Sequence, residues 1–179
     1  MNFNKDALSP TQRYLWTLEL VYKEGNHLLY SWKRVFQDQQ INLVWVKSLD
    51  KDPESAVQLE AFVSRFSRMQ DSLADKLLPR WLECLAEKPG SQIENLNKAE
   101  RFGVISNTED WLMTRRLRNQ LVHEYMTDTH VFLASLLEAK KKTDLLVQAY
   151  NNIRNYQPQL IFQDATTELP PELDVVIKL

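Results

Sequence analysis

The chain has 179 residues, 44% of them apolar and 26% charged, the balance of one soluble domain with a real hydrophobic core. Three glycines exclude a glycine-rich phosphate loop and a fold built on tight hairpins, and the abundance of Leu, Glu, Lys and Gln favours an all-α fold. A formal net charge of −2 excludes a protein that coats nucleic acid through overall basicity, and the single cysteine, Cys84, excludes an internal disulfide.

The opening "MNFNKDALSP" has no charged-then-apolar leader pattern, and no apolar run approaches the roughly 18–20 residues that cross a bilayer, so a soluble, cytoplasmic chain without membrane contact is expected. Ser9, Pro10 and Gln12 form a capping box ahead of a helix running to Phe36, which Gly25-Asn26 kinks or splits. "INLVWVKSLD" alternates and is β-branched, yet it is too isolated for a sheet and reads as a linker or short helix. Asp52-Pro53 caps a second long helix, with Leu59, Phe62, Phe66, Met69, Leu73 and Leu77 on its core face. Pro79 ends or bends it, and "RWLECLAE" makes a short helix before Pro89-Gly90. "SQIENLNKAERFG" is a further helix stopping at Gly103, and Asn107 or Thr108 caps the next. Asp128 caps the last long helix, to about Tyr156. The expected organisation is a bundle of four to five main helices over residues 1–156. An extended tail over 157–179, rich in proline, should lie on the surface or on a partner.

The stretch "RLRNQLVHEY" carries the chemistry. On a wheel of about 100° per residue, Trp111, Val122 and Tyr125 fall within about 40° of Arg118, which places a guanidinium in the apolar stripe. Arg115, Asn119 and His123 form an i, i+4, i+8 row on its flank. Burying a guanidinium without a partner costs several kcal/mol. Two accounts remain open: an ion pair to Asp71, Asp75 or Glu60, or a cleft in which Arg118 meets a phosphate.

"RNQLVHEY" resembles the R-x4-H-x-Y motif of the HEPN superfamily, particularly the HepT-type toxins paired with a minimal nucleotidyltransferase antitoxin. Arg118, His123 and Tyr125 match the motif, Asn119 is the polar residue after the arginine, and "RFSRMQDSLADKLL" is similar to a companion helix of that fold. The likeness spans about residues 10–156. It implies a HEPN-like bundle and metal-independent RNA cleavage, with the ribose 2′-OH attacking the adjacent phosphate and no cofactor. His123 then acts as general base or acid, Arg118 stabilises charge, and Asn119 holds the imidazole or touches the phosphate. Since one motif supplies one histidine, the resemblance also implies a homodimer with a composite site, sealed by an apolar flank around Trp111 and Tyr125. Tyr125 becomes the acceptor of AMP from the antitoxin. The rival reading is a non-catalytic HEPN adaptor that binds a nucleotidyltransferase or nucleotide, and a plain helical interaction domain with a salt-bridged Arg118 is the third.

Other residues carry less. Arg115 and Arg116 either extend a phosphate-binding strip or are solvated charge. Lys140 to Lys142 read as a solvated helix face, Asp71 and Asp75 as partners of Arg68 or Lys76, the five tryptophans as core, and Cys84 as a buried thiol. His27 and His130 read as ordinary histidines, and no metal-ligand spacing occurs.

Overall fold

Helix α1, Pro10–Phe36, begins at the expected box: the Ser9 hydroxyl accepts from the Gln12 backbone N–H, and the Gln12 side chain accepts from that of Ser9 at 2.9 Å. The structure is a computed structural model and describes residues 8–123, 127–156 and 168–175; of His123 it describes the backbone. Gly25 does not split α1. It is buried within a continuous helix, and its missing side chain serves packing instead: an added Cβ would overlap Leu173 Cδ1 and come within 3.0 Å of Cδ2.

Asn42 caps α2, Leu43–Ser48, by accepting from the Trp45 N–H at 2.9 Å, and a 3₁₀ turn at Leu49–Lys51 follows. The extended preference of this stretch loses to that cap and to the burial of Val46 and Leu49. Helix α3, Pro53–Ser72, carries Asp52 as its cap and buries Leu59, Phe62, Phe66 and Met69 as expected. It then widens into a π-turn at Leu73–Leu77, in which the Leu78 N–H donates to the Leu73 carbonyl, before α4, Leu78–Cys84. Pro79 is the physical reason. It has no N–H to give, and in α geometry its ring would collide with the carbonyl four residues back, that of Asp75.

At the end of α4 the backbone closes through Glu87 N–H to Leu82 O and Ala86 N–H to Glu83 O, with Ala86 at φ 58°. Glycine normally fills that left-handed position. Gly103, at φ 73°, does so after α5, Gln92–Arg101. Helix α6 spans Thr108–His123, with the Asn107 side chain accepting from the Glu109 and Asp110 N–H groups. Helix α7, Thr129–Asn155, starts at Asp128.

The bundle is all-helical among the described residues. Helix α1 packs against α3, α4 and α7, while α6 lies on α7 with α3 and α5 to its sides. The core runs through Tyr14, Leu18, Phe62, Phe66, Trp81 and Tyr150. No helix among the described residues is long and apolar enough to cross a membrane.

Residues 168–175 form neither helix nor strand and run back along α7 toward α1. Arg154 Nε donates to Pro170 O at 2.7 Å and the Tyr150 hydroxyl to Pro171 O at 3.0 Å. The Asn151 side chain grips Leu173 through both its backbone N–H and its carbonyl, each at 2.9 Å. Leu173 is thereby buried over Gly25.

Candidate functional site

Helices α3 and α6 present their facing sides to a groove of about 680 Å³. From α3 and the π-turn come Arg68, Asp71, Ser72 and Lys76; from α6 come Arg118, Asn119, Leu121 and Val122. Arg118 Nη2 donates to Asp71 Oδ2 at 2.9 Å, and Nη1 donates to Asn119 Oδ1 at 3.1 Å. Its Nε is buried with no acceptor among the described residues. The ion-pair account of Arg118 therefore holds. It is ion-paired, to Asp71, and it also lines a groove with N–H donors to spare.

Arg118 is not sunk in the apolar stripe. Its side chain keeps 33% exposure and that of Asp71 45%. The buried line of α6 runs through Trp111, Thr114, Leu117 and Leu121, one residue round from the expected one, and Val122 stands 56% exposed. Thr114 explains the offset. It is polar in composition, but its hydroxyl donates to the Asp110 carbonyl of its own helix at 2.8 Å, so it buries freely. Trp111, at 3% exposure, belongs to the chain's own core and offers no flank to a second copy. That part of the expected dimer seam is withdrawn.

The structure brings Arg118 and Asn119 together in one groove. His123 is the last residue of α6, and its side chain lies outside the described residues, as does the whole of Tyr125. Arg115 and Arg116 are not at the groove. Arg115 donates to Gln92 Oε1, whose amide in turn donates to Asp75 Oδ1 at 2.6 Å. Arg116 lies round the helix, in a separate groove of about 410 Å³ between α6 and α7. Asp71 and Asp75 are thus engaged by Arg118 and Gln92, where Arg68 or Lys76 had been expected.

Behind Ser72 stands Glu24 of α1. Burial pushes its carboxyl up from the ordinary glutamate range, offset in part by the Ser72 hydroxyl, Lys76, Arg68 and His27. Both Ser72 Oγ and Glu24 Oε2 are buried without a well-formed hydrogen bond among the described residues. Arg68, Ser72 and Lys76 escaped sequence reasoning as site residues. Their signal was an i, i+4, i+8 row, obscured by the neighbouring aspartates.

The lysine run is a solvated face only at Lys141, whose side chain is 71% exposed. Lys140 lies over the Trp32 and Phe36 rings at 5.7 and 5.4 Å, and Lys142 pairs with Asp110 at 2.9 Å. Of the tryptophans, Trp81 and Trp111 are core, whereas Trp16 is exposed beneath Arg80. Cys84 is half-buried and its thiol is pushed up to about 11, chiefly by burial, so it is a poor nucleophile at neutral pH. The His27 carbonyl accepts from Arg65 at 3.1 Å, and the His130 N–H serves the α7 cap. Among the described residues no three His, Cys, Asp or Glu side chains gather as metal ligands. No protein-family model, curated protein or solved structure matches the chain.

Proposed function

We propose that the chain is a HEPN-like, metal-independent endoribonuclease, the toxin of a toxin–antitoxin pair. One observation carries the reading beyond the motif. Arg118 stands half-exposed in a groove, steered by Asp71 and Asn119, with N–H donors left for an oxyanion. A guanidinium placed so can receive the non-bridging oxygens of a phosphodiester as charge builds on them.

In the reaction, the 2′-oxygen forms a bond to phosphorus while its proton passes to a base, and the bond from phosphorus to the 5′-oxygen breaks as that oxygen takes a proton. A 2′,3′-cyclic phosphate and a 5′-hydroxyl result. His123, five residues after Arg118, carries one of the two proton transfers, and His123 of a second copy carries the other in a homodimer. Tyr125 is the residue on which a nucleotidyltransferase partner places AMP. The added phosphate then competes with RNA for Arg118.

The test is cleavage of single-stranded RNA by the purified chain and by His123→Ala, with and without excess chelator. Wild type is expected to cut in both conditions and His123→Ala to lose cleavage while keeping its helical circular dichroism. Cleavage retained in His123→Ala, or abolished by EDTA and restored by a divalent ion, refutes the mechanism. Intact mass after incubation with the cognate nucleotidyltransferase and ATP should rise by whole AMP units, and Tyr125→Phe should remain unmodified and uninhibited.

A further inference from the structure

We propose that Arg68 and Lys76 hold phosphates of single-stranded RNA beside the one that Arg118 engages, so that the groove takes a strand and not a lone phosphodiester. The inference rests on the ribonuclease reading and deepens it.

Arg68, Ser72 and Lys76 follow at four-residue steps on α3 and its π-turn, and all line the same groove as Arg118. No carboxylate among the described residues lies within ion-pair distance of Arg68 or Lys76, whereas Arg118, Lys98 and Lys142 each have one. The nearby aspartates are already committed, Asp71 to Arg118 and Asp75 to Gln92. Glu60 lies two turns further along α3 from Arg68, at the other end of the groove. Ser72 is fully buried between the two cations, its hydroxyl directed at the Glu24 carboxyl behind it.

Two solvent-facing cations, neither held in an ion pair, make a surface for anions. Eight residues at 1.5 Å each separate Arg68 from Lys76 by about 12 Å along the helix. That is too far for both to sit on one phosphate without bending over Ser72, and suits separate phosphates of one strand. Glu24, half-buried behind Ser72, faces both cations and offsets part of their charge.

The experiment uses the full chain and a 2′-O-methyl RNA oligonucleotide, which binds but cannot be cleaved for want of a free 2′-OH. Each phosphate contact to a single strand contributes about 0.7 to the slope of log K against log salt. Arg68→Ala with Lys76→Ala should therefore lower that slope by about 1.4 and weaken binding about 25-fold at 0.1 M salt. In parallel, cleavage is compared on a dinucleotide, which has the scissile phosphate alone, and on a longer oligonucleotide. The double variant should lose kcat/KM on the longer substrate and keep it on the dinucleotide, while Arg118→Ala loses both. Both changed positions are exposed, and circular dichroism checks that the helices survive the loss of two cations facing Glu24. Unchanged affinity and slope in the double variant overturn the proposal, as does an equal loss on both substrates. If the wild type binds with the expected dependence on Arg68 and Lys76 yet cleaves nothing, the phosphate row stands and the nuclease reading falls.

Discussion

Replacing Arg118 by lysine separates the two jobs assigned to this side chain. Lysine keeps the charge and most of the aliphatic stem, but loses the planar fork that reaches Asp71 and a phosphate together. Two unit charges about 4 Å apart attract by ~1 kcal/mol in water and ~4 kcal/mol at an effective dielectric of 20. With side chains 33% and 45% exposed, the Arg118–Asp71 pair belongs near the solvated end, about 0.2–1 kcal/mol. For a domain of this size that is a shift in Tm of at most about 4 °C. Catalysis should respond on another scale, since removing one donor to a developing oxyanion costs on the order of 10²–10³ in rate. Asp71→Asn completes the comparison. It should be equally mild on stability and should lower KM for RNA, because a phosphate no longer competes with a carboxylate for the guanidinium. Differential scanning fluorimetry and a fluorogenic RNA assay on the same preparations measure both. A drop in Tm above 10 °C with cleavage intact in Arg118→Lys would show a purely structural ion pair. Loss of cleavage in Asp71→Asn would show that the aspartate positions Arg118 and does not compete for it.

Two further outcomes follow from the packing. Gly25→Ala should lower Tm, because its Cβ meets Leu173 and overpacking costs typically ~1–3 kcal/mol, whereas in a Leu173→Ala background the same change should raise it by the helix propensity of alanine; destabilisation in both backgrounds would remove the tail from the explanation. Glu24→Gln should stabilise the chain at pH 7, and the gain should fade on acidification through the raised carboxyl pKa and vanish below the unfolded value, where Glu24 is protonated in both states. A gain that persists unchanged at about pH 3, read from chemical denaturation, would rule out desolvation as its cause.

Caps and periodicity made most of the helices legible in advance. Ser9, Asp52, Asn107 and Asp128 each sit where a short polar side chain meets an apolar period, and each caps as expected. The π-turn was not legible, because a proline announces an interruption without saying how the helix absorbs it. Ala86 in a left-handed turn was invisible for the opposite reason: the position wants glycine and the sequence offers none. At the site, the partner of Arg118 was narrowed to three acids by spacing, and only the packing of α6 against α3 chose Asp71. Arg68 and Lys76 were hidden because acids adjacent in sequence, Asp71 and Asp75, turn to other helices and leave them facing the groove. Gly25 looked like a flaw in a helix, since the leucine that needs it lies far along the chain.

That last contact also bears on how the chain is made. Helix α1 is synthesised before α7, yet the hollow at its Gly25 is filled by Leu173, and the clamp on that leucine comes from Asn151 near the end of α7. Pairings this distant in sequence close late, after the loop entropy between them has been spent. A nascent chain arrested before the strap emerges should thus hold α1 with an open hollow on its flank, and native protection of that helix against proteolysis should arrive only once the strap has cleared the ribosome.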